Sequence, residues 1–496
     1  MASRNDLVLS QNQFILRINT TKKDYQNSNA LIRMSDYTSL LNGRAVFSKA
    51  FTHPDGKGPD YTVYQNFVNA IKNKDQPAIN AINNDRKKLV DSYCVCDYEL
   101  FGLYKSSFQI ENAPAPLSEK QAAELIEVYN QVLVRDVPFS EWSSSSTITD
   151  VLTSLNLVKS ALGGPTQGGN ITVDTLFRGP TTGDLIGPYV SQFFYYPITM
   201  GAITIEQKYV SPAPTNFMNS VASYLNMWNG GNPVISPELT GPTRYILTPR
   251  DAANYIHLDQ IWQPHYMAAV ILLNQKIPFS YTCPDRQGGK FINLGVNDLY
   301  QIMTDACKLS MSATWMYKWC QLGYRPEEMA YQVHLKKTEG TGLDFPSSLL
   351  DNPVLQKIYD LSQNYLLPQA YPEGCPPHPS YPSGHATIGG AMGTILKAFF
   401  DCTKTIAAKG PNADGSALVD LGYSLNVGDE LDKLISNTGV FRNFAGIHYR
   451  SDADEGSLIG EKIAIQILEE YVNRYRDKVL FTLKKRDGTT IQIKNY

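Results

Sequence analysis

The chain lacks any run of about 18 uninterrupted apolar residues, the length a helical membrane span requires, so no spanning helix is expected. Excess positive charge is missing too: 44 Lys and Arg stand against 47 Asp and Glu, for a net charge of −3. No global field therefore draws in nucleic acid or an anionic membrane surface, and cationic groups must act locally. Cysteine is scarce. The seven, Cys94, Cys96, Cys283, Cys307, Cys320, Cys375 and Cys402, form an odd set without zinc-type spacing. They read as reduced packing residues. Met1 to Asp6 lead into no hydrophobic signal core, so a soluble, cytoplasmic protein is the expectation. There is no internal repeat, and low complexity is confined to Ser143 to Ser146.

What is present describes a folded globular protein. Hydrophobic residues make up 43% and charged residues 18% of 496, enough for one large helical domain or two fused ones. Capping and apolar spacing predict helices over Ser118 to Val134, Asn216 to Met227 and Asn297 to Leu322, then over Ser383 to Phe400 and Asp452 to Arg476. Asp251 to Gln275 reads as a long helix, kinked or split by Pro264, with Ile256, Trp262, Tyr266, Ala269 and Leu272 on its buried side. Gly163 to Gly187 and Asn229 to Pro249 read as loops. Val479 to Leu483 and Thr490 to Ile493, either side of Arg486-Asp487-Gly488, predict a β-hairpin. The expected fold is mainly α, a helical bundle with long loops and a small C-terminal hairpin. Its expected divisions are an N-terminal arm with scattered helices over 1–90, a helical domain over 91–476 and the hairpin over 477–496.

Three separated stretches carry the chemistry. Lys318 and Arg325-Pro326 lie seven residues apart, and Gly323 and Pro326 predict that the helix ends between them. In Pro382-Ser383-Gly384-His385, Ser383 stands at a helix N-cap, and the free N–H groups beyond it form an anion cradle that Gly384 leaves open. In the third, Arg442 is followed by His448 and Asp452. One turn on, Asp452 can orient the imidazole, compensate an arginine or cap the next helix, while Gly446 leaves the approach to His448 open. Each stretch alone has an ordinary explanation: a solvated cationic face, a capped helix start, a core histidine. Together they do not. Three fixed cations, a hydroxyl, a glycine and two histidines suit an oxyanion held against a nucleophilic or coordinating imidazole.

The order Lys-(six)-Arg-Pro, Pro-Ser-Gly-His and Arg-(five)-His-(three)-Asp resembles the superfamily of vanadium-dependent haloperoxidases and type-2 phosphatidic acid phosphatases. The longer segment His378-Pro379-Ser380-Tyr381-Pro382-Ser383-Gly384-His385-Ala386-Thr387 is similar to the haloperoxidase branch, particularly red-algal and cyanobacterial bromoperoxidases. Arg135 to Phe139, Gly183 to Tyr189 and Ala445 to Asp452 point the same way, so the resemblance covers most of the chain. It implies vanadate as cofactor, its equatorial oxygens held by Lys318, Arg325, Ser383, Gly384 and Arg442 and its vanadium bound by His448. It implies His385 as the acid–base residue, His378 as the neighbouring histidine of bromoperoxidases and Trp315 as a wall of the halide site. Phe441 departs from the pattern, since many phosphatase-like members carry serine there. The implied reaction is oxidation of bromide or iodide by hydrogen peroxide to hypohalous acid, which halogenates an organic acceptor. A soluble phosphatase with His448 as nucleophile is the alternative. A homo-oligomer is implied by analogy.

Overall fold

The computed structural model describes residues 44, 46–51, 53, 56–82, 89–92, 108, 111–233, 241–284 and 292–496. Helices of ten residues or more are labelled here in chain order. They are α1 Tyr61–Asn73, α2 Glu119–Leu133, α3 Ser146–Asn156, α4 Pro249–Leu258, α5 Gln263–Asn274, α6 Val296–Gln321, α7 Pro326–Glu339, α8 Pro353–Ser362, α9 Gly384–Phe399, α10 Val427–Phe444 and α11 Arg450–Val472. Among the described residues, four antiparallel strand pairs flank the helices: β1 Ile198–Met200 with β2 Ile203–Ile205, β3 Tyr209–Val210 with β4 Thr243–Arg244, β5 Thr405–Pro411 with β6 Leu418–Asn426, and β7 Leu480–Lys484 with β8 Thr490–Lys494. The fold is mainly α, and its terminal hairpin lies where the alternation of Val479 to Ile493 places it.

The centre is α9. Gly384 and every residue from Ala386 to Phe399 are buried, which leaves His385 as the partly open position. Packed around it are α6, α10 and α11. The crossing with α11 is a backbone-to-backbone contact. A Cβ on Gly390 would come 2.1 Å from the Ser457 carbonyl, and one on Gly460 would come 2.1 Å from that of Thr387. No side chain fits there. The close approach also seats Ser383 against α11, where its N–H donates to the Asp452 carbonyl at 2.9 Å.

Several expectations are refined. Pro264 splits rather than kinks: α4 ends at Leu258, and α5 begins at Gln263 with the proline in its first turn, where a missing N–H costs nothing. The split re-phases the faces, so Ile256, Ala269 and Leu272 are buried while Trp262 is 41% exposed. The helix expected from Asn216 starts at Val221, behind a Ser220 capping box. Leu322, at φ 53°, takes the left-handed turn that ends α6. Gly323 serves packing instead, since a Cβ there would lie 2.9 Å from Tyr381 Cβ. Hairpin β5–β6 and the short pairs β1–β2 and β3–β4 carry no alternation strong enough to announce them.

Part of the expected arm is woven into the bundle. Ser48 N–H donates to Glu328 Oε1 at 2.6 Å, and Lys49 Nζ binds Glu327 Oε1 at 3.1 Å, the Glu373 carbonyl at 2.7 Å and the Cys375 carbonyl. Residues 1–43 lie outside the described set. So do Cys94 and Cys96; the other five cysteines are unbridged. No helix among the described residues is long and apolar enough to cross a membrane.

Candidate active site

Lys318 occupies the last turn of α6 and is completely buried, its Nζ donating to the carbonyls of Pro379 at 2.9 Å and Ser380 at 2.7 Å. Those carbonyls belong to the segment that leads into α9, so the lysine ties the first stretch to the second. Arg325 is the N-cap of α7, on the exit from α6 as its glycine and proline predicted. Its guanidinium spreads over three groups. Nε and Nη2 donate to the His378 carbonyl at 3.0 and 2.8 Å, Nη1 to the Ile447 carbonyl at 2.8 Å, and Nη2 faces His378 Nδ1 at 3.0 Å.

Nη1 of the same arginine lies 3.2 Å from His448 Nε2. Arginine can only donate, so Nε2 accepts and its proton must reside on Nδ1. Nδ1 indeed meets Asp452 Oδ2 at 2.7 Å, one helical turn away. Asp452 also receives the Tyr449 N–H at 3.0 Å and the Ser380 hydroxyl. It therefore orients the imidazole and caps α11 at once, two roles the sequence left as alternatives. The outcome is a buried imidazole with its Nε2 lone pair fixed in direction, suited to a ligand or a nucleophile. Gly446 does not open this approach. Its φ is 89°, and a Cβ would meet Arg135 Nη2 at 3.0 Å and Gln369 Nε2 at 3.1 Å.

Ser383 caps α9, its Oγ accepting from Ala386 N–H at 3.5 Å. The open side of Gly384 faces Trp315, whose ring atom Cζ3 would lie 3.2 Å from a Cβ. Trp315 also stands 4.9 Å from the His378 ring and 5.7 Å below Lys318 Nζ, a cation–π distance. His385 Nε2 lies 3.2 Å from Asp259 Oδ1 at the end of α4. Arg442, in the last turn of α10, contacts the Ile256 carbonyl at 3.2 Å and the Tyr371 hydroxyl at 3.4 Å. Its Nε is buried without a partner.

Electrostatics bind these groups into one site. Burial pushes His448 well below its usual range, and Arg325, Lys318 and Arg442 push it further. His378 is lowered in the same sense, by burial and then by Arg325 and Lys318. His385 is lowered by burial and by Arg442 and Lys318, against the opposing charge of Asp259. Burial and Arg325 lower Lys318, while burial raises Asp452. Each of the imidazoles is thus neutral near pH 7. Cations Lys318, Arg325 and Arg442 outnumber the carboxylates Asp452 and Asp259, and an orphaned guanidinium N–H remains. Such a surplus of buried positive charge suits an anion.

All ten residues singled out in the sequence, Trp315, Lys318, Arg325, His378, Ser383, Gly384, His385, Arg442, His448 and Asp452, come together here. Three more were not singled out. Ser380 lies inside the quoted motif, but its bond to Asp452 depends on how α9 meets α11. Asp259 and Tyr371 lie far from the motifs in sequence, and no local pattern marks them. Phe441, the departure from the phosphatase pattern, packs 5.3 Å from the Phe194 ring in the core.

The fold and the site are those of a helical bundle whose three buried cations, capped helix start and fixed imidazole suit a tetrahedral or trigonal oxyanion. Comparisons with known proteins narrow this. A family model described as the VCPO second helical-bundle domain matches residues 300–477. A vanadium-dependent bromoperoxidase of Ascophyllum nodosum is 30% identical, over 97% of this chain and 91% of its own. One from Corallina officinalis is 31% identical, over 80% and 78%. Among solved structures, the homohexameric second vanadate-dependent bromoperoxidase (AnII) of Ascophyllum nodosum matches with a TM-score of 0.88 at 25% identity, covering 98% of this chain and 90% of that one. The chain belongs to the vanadium-dependent bromoperoxidase family.

Proposed function

We propose that this protein oxidises bromide, and iodide, with hydrogen peroxide to hypohalous acid, and that vanadate is the oxyanion its site holds. The observation that carries the cofactor is the donor set. Arg442 Nε is buried with no partner, beside two further buried cations and a histidine whose Nε2 lone pair is fixed by Asp452. Phosphate and vanadate share that charge and shape, but an imidazole able to coordinate adds a reason to prefer the metal oxyanion. The relatives named above are vanadium-dependent.

In this reading Lys318, Arg325, Ser383, Gly384 and Arg442 hold the oxygens, and His448 Nε2 binds the vanadium. Bound vanadate supplies a Lewis-acidic centre that activates peroxide without changing oxidation state. His385, neutral and turned by Asp259, takes and returns protons, an effect worth ~10²–10⁴-fold. Lys318 donates a charged hydrogen bond where negative charge develops. His378 and Trp315 wall the halide side. The carboxylate of Asp452 acts on His448 rather than on substrate. A homo-oligomer is part of the proposal, supported by the homohexameric neighbour.

The test is peroxide-dependent bromination of a simple β-diketone by metal-stripped protein, with and without orthovanadate, and with phosphate as competitor. Activity that appears only with vanadate and falls with phosphate is expected. Hydrolysis of a phosphate monoester without bromination would move the assignment to the phosphatase alternative.

A further inference from the structure

Behind Asp259, on the side of α4 and α5, runs a groove of about 300 Å³ lined by Ile205, Tyr209, Asn254, Leu258, Asp259 and Met267. Its walls are mostly apolar, and Leu258 is 56% and Ile205 41% exposed. Glu206 and Lys208, also in the lining with Gln207 and Gln263, are paired with each other at 2.7 Å, which leaves two further polar groups to account for. Asn254 is 7% exposed, and its Nδ2 is buried with no hydrogen-bond partner. Asp259 spends Oδ1 on His385 and leaves Oδ2 buried and unpartnered. A buried polar atom without a partner is disfavoured, so an amide donor and a carboxylate acceptor left bare beside one groove suit a ligand that can bond to both.

We propose that this groove binds the organic acceptor, and that the acceptor is a neutral phenol or enol. The chemistry of the lining selects that class. A hydroxyl satisfies Asp259 Oδ2, a neighbouring oxygen accepts from Asn254 Nδ2, and a flat apolar body covers Leu258, Ile205 and Met267. Carboxylate ligands are repelled by Asp259. Phenols and enols are also electron-rich at carbon, the property that consumes hypohalous acid. Bromine leaves hypobromous acid without its bonding pair, which departs with hydroxide. A π pair of the acceptor forms the C–Br bond, and the proton lost from that carbon joins the hydroxide as water. The acceptor is thus held one carboxylate away from His385. This rests on the haloperoxidase reading for its chemistry, but not for its binding.

The test separates the two. Titration calorimetry of 2-naphthol is run on vanadate-free wild-type protein, Leu258→Trp and Asn254→Ala. Leu258 is exposed enough for tryptophan to fill the groove without disturbing the core. Saturable binding by wild type is expected, weakened at least tenfold by either change. With vanadate loaded, Leu258→Trp should raise the KM for 2-naphthol at least tenfold while oxidation of iodide to triiodide is unchanged. No binding by wild type, equal binding by Leu258→Trp, or a loss that accompanies a changed oligomer mass, which would make the groove a subunit contact, each overturns the proposal. Failure of wild type to form triiodide would instead sink the haloperoxidase reading, and the calorimetry would still decide the groove.

Discussion

Arg442 carries its guanidinium carbon 5.4 Å from the centre of the Tyr371 ring, and the same ring is stacked by His257 at 3.7 Å. His257 is tied in turn to Glu373 at 2.6 Å. The arginine's hydrogen bonds to protein are long, at 3.2 and 3.4 Å, so the aromatic face does much to set its direction. Tyr371→Leu should therefore weaken vanadate binding by about 10–100-fold, the usual effect of removing support behind a ligand-binding group. Tyr371→Phe keeps the face and should lose only a small part of that. Equilibrium dialysis against orthovanadate reads both, and equal affinities in the leucine variant and wild type would refute the role.

Asp452 fixes the proton of His448 on Nδ1. Asp452→Asn keeps the size but removes the charge, leaving a less basic imidazole. Vanadate affinity should fall by about 10–100-fold while the fold, followed by circular dichroism, persists. Unchanged affinity would mean that capping α11 is the residue's whole task.

Among the forces on His385, Asp259 raises its pKa against the lowering by burial, Arg442 and Lys318. Asp259→Asn removes the raising influence, so the pKa falls further. A histidine that must be neutral to accept a proton then stays competent at lower pH. The acid limb of the kcat/KM profile for peroxide should move to lower pH in the variant. A shift to higher pH would contradict the assignment.

Glu124 is buried behind the start of α11, where Oε2 accepts from Ser451 Oγ at 2.7 Å and Oε1 has no partner. Burial pushes its carboxyl up from the usual 4.5 to about 8. Between those values the folded protein binds more protons than the unfolded chain, so the group's contribution to stability falls as pH rises. Glu124→Gln removes that dependence. The difference in Tm, variant minus wild type, should grow between about pH 4.5 and 8 and level off above it.

Much of this was legible because the chemistry sits in short-range patterns. His448 and Asp452 are one turn apart, so their contact follows from helical geometry alone. The N-cap at Ser383 and the break before Arg325 are likewise local. Contacts made across the bundle were not legible. Asp259 reaches His385 and Tyr371 reaches Arg442 only because particular helices cross at particular angles, which no window of sequence encodes. Trp262 was misplaced for a related reason: a face drawn through a single helix loses its phase once Pro264 begins a new one. Hairpin β5–β6 stayed hidden because much of β6 is exposed and needs no apolar alternation.

The contact of Gly390 and Gly460 across α9 and α11 has a consequence for how such a protein can change. Its reactive groups are spaced by main chain meeting main chain, a distance that no choice of side chain can adjust. Positions at the rim such as Trp315 and Leu258 meet their surroundings through side chains alone, so exchange there can reshape the walls without moving the backbone. A single methyl group added at Gly390, itself no part of the cluster of reactive groups, would push α9 and α11 apart and shift Ser383 against Asp452. Novelty is cheap at the rim and nearly forbidden along the seam.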